Sequence, residues 1–248
     1  MAAIQYGTGQ AALVKSSCSN AVNPDLCAVM ELIKQAQAAG AAFVVTSEYG
    51  LGQTYYEPLP AKGDNPGTSA AWPQDAFITI LSKQADTLNL YLVINVLTQS
   101  GANPNVSYHN TEIAFDPTGK VVAVHNKFNL FGGETQSLTA GNDVVTFDTP
   151  LGKLGLLICA DIYGSSTLLS KLANTLKARV VLVSSYWTVS NSVSWYKSYA
   201  KKWAMYTVVS NTTHSPGQGG GVYDPSGAAL AQKIQTSPTI VYASIPTP

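Results

Sequence analysis

Arginine is nearly missing from these 248 residues: Arg179 stands alone among 14 basic side chains. Charge of either sign is sparse, at 11% of residues, and the 14 basic groups are balanced by 14 acidic ones. A nucleic-acid interface needs a dense basic face to meet phosphates, and this composition cannot build one. No apolar run approaches the ~18 to 20 residues that span a bilayer, so membrane insertion is excluded as well. Histidine is scarce too. His109, His125 and His214 are dispersed without metal-ligand spacing, so neither a metal nor a cofactor is expected. Three cysteines do not make a disulfide scaffold. Cys18 and Cys27 lie in one short segment and are either a disulfide, in an oxidising compartment, or two unlinked thiols, which leaves Cys159 as the odd one. No basic-then-apolar leader opens the chain, since Met1 runs directly into a strand-like Ala2–Tyr6. The compartment is therefore cytoplasmic if Met1 is native, and extracellular if Met1 replaces a removed signal peptide. The triplets beginning at Asn105 and Asn211 fit glycosylation only in the second case.

Apolar residues make up 46% of the chain, enough for one sizeable core, and no linker or repeat divides it. One domain over residues 1–248 is expected. Residues 23–40 read as a helix capped by Asn23, opened by Pro24 and ended by Gly40, with Leu26, Val29, Ile33 and Ala36 as its apolar stripe. Further helices are expected near 71–89, 166–178 and 191–204. Each feeds a short apolar run: Phe43–Ser47, Tyr91–Leu97, Val180–Val183 and Thr207–Ser210. Asp116-Pro-Thr-Gly119 and Asp224-Pro-Ser-Gly227 each carry proline and glycine where a tight hairpin turn wants them. Buried strands fed by helices, interrupted by hairpins, describe a mixed α/β sheet system with helices outside.

Two glycine-rich segments are decoys. Gly7–Ala12 lacks the following helix and the acidic residue of a dinucleotide fingerprint, and Gly217–Gly221 lacks the Lys-Ser/Thr ending of a phosphate loop. No Gly-x-Ser-x-Gly elbow is present for a serine hydrolase. The informative segment is Lys153–Gly164, where an apolar strand ends at Cys159 and a turn follows. That is the edge of a sheet where open α/β sites collect. Taken alone, a cysteine after Leu-Leu-Ile is more often inert core. A reactive thiol needs a base and a positive charge, and two other strand ends offer them: Glu48 after Val44–Ser47, and Lys127 after Val122–Asn126. On physics alone the two are equally a structural ion pair at the sheet edge.

Glu48, Lys127 and Cys159, in that order, resemble the Glu-Lys-Cys triad of the nitrilase superfamily of carbon–nitrogen hydrolases. Tyr108–Asp116, Lys127–Glu134, Cys159–Ile162 and Gly219–Pro225 are most similar to the catalytic domain of its pantetheinase (vanin) and biotinidase branch. Ala160 departs from that branch, which has phenylalanine beside the cysteine, and Ser47 departs from its proline. That branch continues into a second, β-rich domain, so only the catalytic domain is expected here. The resemblance implies a four-layer α-β-β-α sandwich and a cofactor-free hydrolase of small-molecule amides. It casts Cys159 as nucleophile, Glu48 as proton shuttle, and Lys127 with the Ala160 N–H as oxyanion donors. Glu134 would position Lys127 or the substrate. A nitrile hydrolase would use the same triad; a non-catalytic binding protein of the same fold is disfavoured by three intact residues. Tyr49, Tyr55, Tyr56, Phe131, Tyr163, Tyr186 and Trp187 follow strand ends near the triad and are expected to line the substrate pocket. With Arg179 on the far side, that pocket suits a neutral acyl group. A monomer or twofold homodimer is expected, paired through the helix after Cys159 and the Trp195–Trp203 helix.

Overall fold

The computed structural model describes residues 1–16, 23–53, 56–164, 166–188, 191–214 and 219–248. Among them the strands are β1 (Ala2–Gln5), β2 (Phe43–Val45), β3 (Tyr56–Pro58), β4 (Tyr91–Ser100), β5 (Ser107–Phe115), β6 (Val121–Asn126) and β7 (Thr146–Thr149). They continue as β8 (Gly152–Ile158), β9 (Val180–Ser185), β10 (Tyr206–Asn211), β11 (Gly219–Tyr223), β12 (Ala229–Ile234) and β13 (Thr239–Tyr242). The first sheet runs β13-β1-β2-β4-β5-β6, with β3 beside the far end of β4; the second runs β12-β11-β10-β9-β8-β7. Strand pairs β1–β2, β2–β4, β8–β9 and β9–β10 are parallel. The hairpins expected at Asp116 and Asp224 are present, with Gly119 and Gly227 at φ +74° and +84°.

Three separate cores make the four layers. Val44, Leu92, Ile94 and Ile113 face outward from the first sheet onto α1 (Pro24–Ala38) and α2 (Phe77–Leu88). Phe43, Val45, Val93 and Ala114 face the other way, against Leu154, Leu156, Leu182 and Val208 of the second sheet. Leu157, Val181 and Val183 then turn outward to meet Leu168, Leu169, Tyr196 and Ala200 of the outer helices. Both faces of each central strand are buried, which is why these strands read as continuous apolar runs rather than alternating ones. No helix among the described residues is long and apolar enough to cross a membrane.

The helices differ from expectation mainly at their starts and in one interior. Asn23 caps α1, its Oδ1 accepting from the N–H groups of Asp25 and Leu26 at 2.8 and 3.3 Å. The helix expected from 71 starts only at Phe77, because Pro73 sits in a turn whose carbonyl takes the Ala76 N–H at 3.2 Å. It ends on Asn89 at φ +50°. After α3 (Glu134–Ser137) and α4 (Asp161–Gly164), the helix expected at 166–178 is α5 (Ser166–Ser170) running into a wider turn at Lys171–Thr175. There Leu172 packs over Gly155, where a Cβ would come within 2.6 Å of a Leu172 methyl. The last helix, α6 (Ser192–Trp203), lies where expected. Cys27 is disulfide-bonded, so the reading of unlinked thiols does not hold for it; Cys18 lies outside the described residues. Arg179 bonds the Leu151 carbonyl at 2.8 Å and covers the Tyr206 ring.

Leu156 is fully buried between the sheets. Leu156→Ala should lower unfolding free energy by about 2–5 kcal/mol, the range for a buried leucine that leaves a cavity. The check is a lower urea midpoint at unchanged slope.

Candidate active site

Strands β2 and β6 of the first sheet and β8 of the second each deliver one residue of the site at one edge of the sandwich. Glu48 follows β2, 1% exposed, in a turn where the Ser47 hydroxyl donates to the Tyr6 carbonyl at 2.6 Å. Tyr49 takes φ +57°, and its N–H donates to Asn95 Oδ1 at 2.9 Å. Lys127 follows β6, 2% exposed, its N–H donating to the Asn110 carbonyl at 2.8 Å. Cys159 follows β8 at φ +41°, a left-handed backbone that turns its thiol off the strand line, and its N–H donates to the Ser184 carbonyl at 2.9 Å. Ala160 is buried beside it, just ahead of α4.

The structure brings Glu48, Lys127, Glu134 and Cys159 together. Lys127 Nζ donates to Glu48 Oε1 at 2.7 Å and to both Glu134 oxygens at 2.9 and 2.8 Å. Glu134 also accepts the Phe131 N–H at 2.8 Å and the Tyr49 hydroxyl. The Tyr186 N–H donates to Glu48 Oε2 at 2.8 Å and faces the Cys159 sulfur. The Glu48 carboxyl group lies near enough to the Cys159 thiol to raise its proton affinity.

Each charge is shifted by these surroundings. Burial pushes Glu48 above the ordinary carboxylate range, with the Lys127 ammonium pulling against it. Burial alone would raise Glu134, but the charge and hydrogen bonds of Lys127 overcome it and hold Glu134 low. Burial disfavours the Lys127 ammonium, yet Glu48 and the other acids beside it outweigh burial and raise its proton affinity. Cys159 is pushed up by burial and then by the Glu48 charge, with Lys127 opposing. The site thus gathers a thiol, one ammonium and two carboxyl groups, and its surroundings favour the neutral thiol. Such a group can move a thiol proton onto Glu48 as the sulfur attacks.

Three residues that hold this arrangement were not singled out by sequence. Asn110 donates to Glu48 Oε1, Glu134 Oε1 and the Tyr49 hydroxyl at 2.9, 2.9 and 3.0 Å, its own Oδ1 fixed by Asn95 Nδ2 at 2.7 Å. Asp161 accepts the N–H groups of Phe128, Asn129 and Ile158 at 3.0, 2.7 and 3.1 Å, so it ties the lysine loop to the cysteine turn. His125 Nε2 lies 2.8 Å from the same Asp161. For Asn110 the available signal was the unbroken polar run from Tyr108 to Glu112 inside a strand of a buried sheet.

Cys159 opens on a cavity of about 190 Å³ walled by Phe131, Tyr163, Tyr186, Trp187 and Trp195. Four of those five were expected; Trp195 arrives from α6, packed edge-on to Trp187 with centroids 5.0 Å apart. A neighbouring cavity of about 400 Å³ is lined by Tyr49, Gln53, Tyr56, Phe131 and Glu134. Tyr49 therefore belongs to this second cavity and to the charge network rather than to the wall at the thiol. Tyr55 lies outside the described residues.

This fold and this buried cluster define a class, and comparison with known proteins fixes it. The carbon-nitrogen hydrolase family model matches residues 2–248, and the chain belongs to that family. A pantetheinase of Mus musculus is 32% identical over 165 residues, 57% of this chain and 32% of that protein. A pantetheinase of Canis lupus familiaris is 26% identical over 233 residues, 82% of this chain and 45% of that protein. The chain thus spans less than half the length of these relatives. An amidase from Nesterenkonia sp. shares the fold at a TM-score of 0.75 and 18% identity, over 99% of this chain and 89% of that one. The nitrilase-type sandwich expected from sequence is the fold observed.

Lys127 is the charge that favours the Cys159 thiolate. Alkylation of Cys159 by iodoacetamide should need a higher pH than an ordinary thiol, and Lys127→Met should move that rise higher still. Intact-mass kinetics across pH, with circular dichroism to check folding, measure both.

Proposed function

We propose that this chain hydrolyses a non-peptide amide through a thioester on Cys159. The observation that carries the reading is the Lys127 ammonium held between Glu48 and Glu134, with the Glu48 carboxylate on the Cys159 thiol. The sulfur attacks the amide carbonyl carbon and its proton passes to Glu48. The carbonyl oxygen gains charge, met by Lys127 and the Ala160 N–H. Collapse breaks the C–N bond as Glu48 hands its proton to the leaving amine. Water then attacks the thioester and gives a proton to Glu48. The C–S bond breaks, the carboxylic acid leaves, and the proton returns to sulfur. Glu134 and Asn110 hold Lys127 and Glu48 in place throughout.

The relatives support the choice of amide over other acyl compounds. Beside the pantetheinases, an omega-amidase of Mus musculus is 28% identical over 62% of this chain and 56% of that protein. In a Glu→Gln mutant of the Nesterenkonia amidase, acrylamide has added to the active-site cysteine. The wall at Cys159 supports a neutral acyl group. Tyr163, Trp187 and Trp195 present aromatic faces, and Arg179 is engaged at Leu151. Tyr163 and Trp187 pack at a tilt with centroids 4.5 Å apart, so the two rings form one continuous aromatic wall suited to an uncharged chain.

Cys159→Ala should abolish turnover in a folded protein, and Glu48→Gln should cost about 10²- to 10⁴-fold in kcat. The acid limb of kcat/KM should lie above the ordinary glutamate range, since Glu48 acts as base only when deprotonated and burial raises its proton affinity. Near-normal rates in folded Cys159→Ala would overturn the assignment. Against matched amides, the neutral acyl group should exceed its ω-carboxylate counterpart in kcat/KM by about tenfold, or ~1.4 kcal/mol. An equal or reversed ratio would refute the neutral pocket. A nitrile panel releasing ammonia faster than the amides would reassign the substrate class.

A further inference from the structure

Glu112 is a fully buried acid to which the mechanism above gives no task. It sits in β5 between Asn95 of β4 and His125 of β6 and looks across the sandwich at Ser184 of β9. Among the described residues no cation pairs with it, and its Oε2 has no hydrogen-bond partner. An ionised carboxylate in that setting is costly.

Counting hydrogens settles which groups donate. Ser184 Oγ lies 2.8 Å from Glu112 Oε1 and 2.8 Å from the Thr46 carbonyl oxygen. A hydroxyl has one hydrogen, and a carbonyl can only accept. If Ser184 donates to Thr46, the contact with Glu112 needs a hydrogen of its own. The reverse assignment would leave Ser184 and Thr46 as two acceptors in contact with no hydrogen between them. The first arrangement satisfies both contacts and leaves no buried charge.

We infer that Glu112 is a protonated carboxylic acid that donates to Ser184, which donates to the Thr46 carbonyl, and that this chain is a positioning device for Glu48 and Cys159. Ser184 is where the two meet. Its hydroxyl holds Thr46, two residues before Glu48; its carbonyl accepts the Cys159 N–H at 2.9 Å. Two residues on, the Tyr186 N–H holds Glu48 Oε2. Glu112 thereby braces the base strand of the first sheet against the nucleophile side of the second. The groups facing it agree with a neutral acid. Burial pushes Glu112 well above the carboxylate range, and the Asp161 and Glu48 charges push the same way, against hydrogen bonds from Ser184. His125, its neighbour in β6, is spent on Asp161, and Asn95 in β4 is neutral.

The inference rests on the roles of Glu48 and Cys159 proposed above, and the test separates the two. Infrared difference spectra at neutral pH should show a protonated-carboxyl C=O band that is lost in Glu112→Gln. That amide still donates to Ser184, so kcat, KM and the acid limb of the pH profile should stay as in the native protein. Glu112→Leu and Ser184→Ala should each lower kcat by about tenfold or more with KM little changed, and the double variant should be no worse than either, as for residues acting as one unit. A Glu112→Gln spectrum identical to the native one, or an acid limb moved to lower pH in that variant, would mean that Glu112 is charged and overturn the inference. So would full kcat in folded Glu112→Leu. Should Glu112→Leu fail to fold, the spectrum and the Glu112→Gln profile still decide. Activity surviving in Cys159→Ala would overturn the proposed function and leave the infrared result standing.

Discussion

The buried ammonium of Lys127 is the interaction around which the site is built. An ammonium taken out of water costs several kcal/mol unless opposite charge and hydrogen bonds replace its hydration. Glu48 and Glu134 supply three carboxylate oxygens to it, all within 2.9 Å. Two acids against one cation leave an excess of negative charge, and the Glu48 charge adds to burial in favouring the protonated thiol. Asn110 makes the crowding tolerable, because its amide donates to both carboxylates at once. Removing any one of these groups leaves another buried charge without its partner, so the cluster stands or fails together.

Holding that cluster is a matter of tying loops at a shared edge. Asp161 collects N–H groups from Ile158 on one side and from Phe128 and Asn129 on the other, so the cysteine turn cannot shift without the lysine loop. It lies wholly buried against His125 of β6, the strand that delivers Lys127. The site is therefore made at the junction of two sheets whose relative position is fixed by the apolar layer between them.

Much of this was legible in the chain, and the reasons differ by residue. Glu48 and Lys127 stood out because an ionisable group directly after an apolar strand must find a partner. The two hairpins announced themselves through proline and glycine at fixed offsets. Asn110 and Asp161 were hidden because their importance lies in partners distant in sequence: Asn110 reaches Glu48 and Glu134, and Asp161 reaches back to Phe128. Periodicity carried the second helix too far toward its N-terminus, since apolar spacing does not register that Pro73 has already bent the chain. Trp195 joined the cavity by the way α6 packs on β10 and β11, which a sequence pattern does not specify. The Glu112–Ser184 contact joins opposite sheets, and only tertiary packing brings it into being.

Phe131 is a wall of both cavities, and 68% of its surface is exposed. It stands on a loop with Gly132 and Gly133, outside the hydrogen-bonded strands. A ligand longer than either cavity has to pass its ring. The reach of the cleft is thus decided at the surface, while Glu48, Lys127 and Cys159 lie beneath on strand ends and Glu134 joins them from the loop itself. Breadth of substrate and the buried charges consequently meet in one short loop: a change of the Phe131 side chain alters what fits, while a change of its backbone also disturbs the N–H that holds Glu134 against the ammonium.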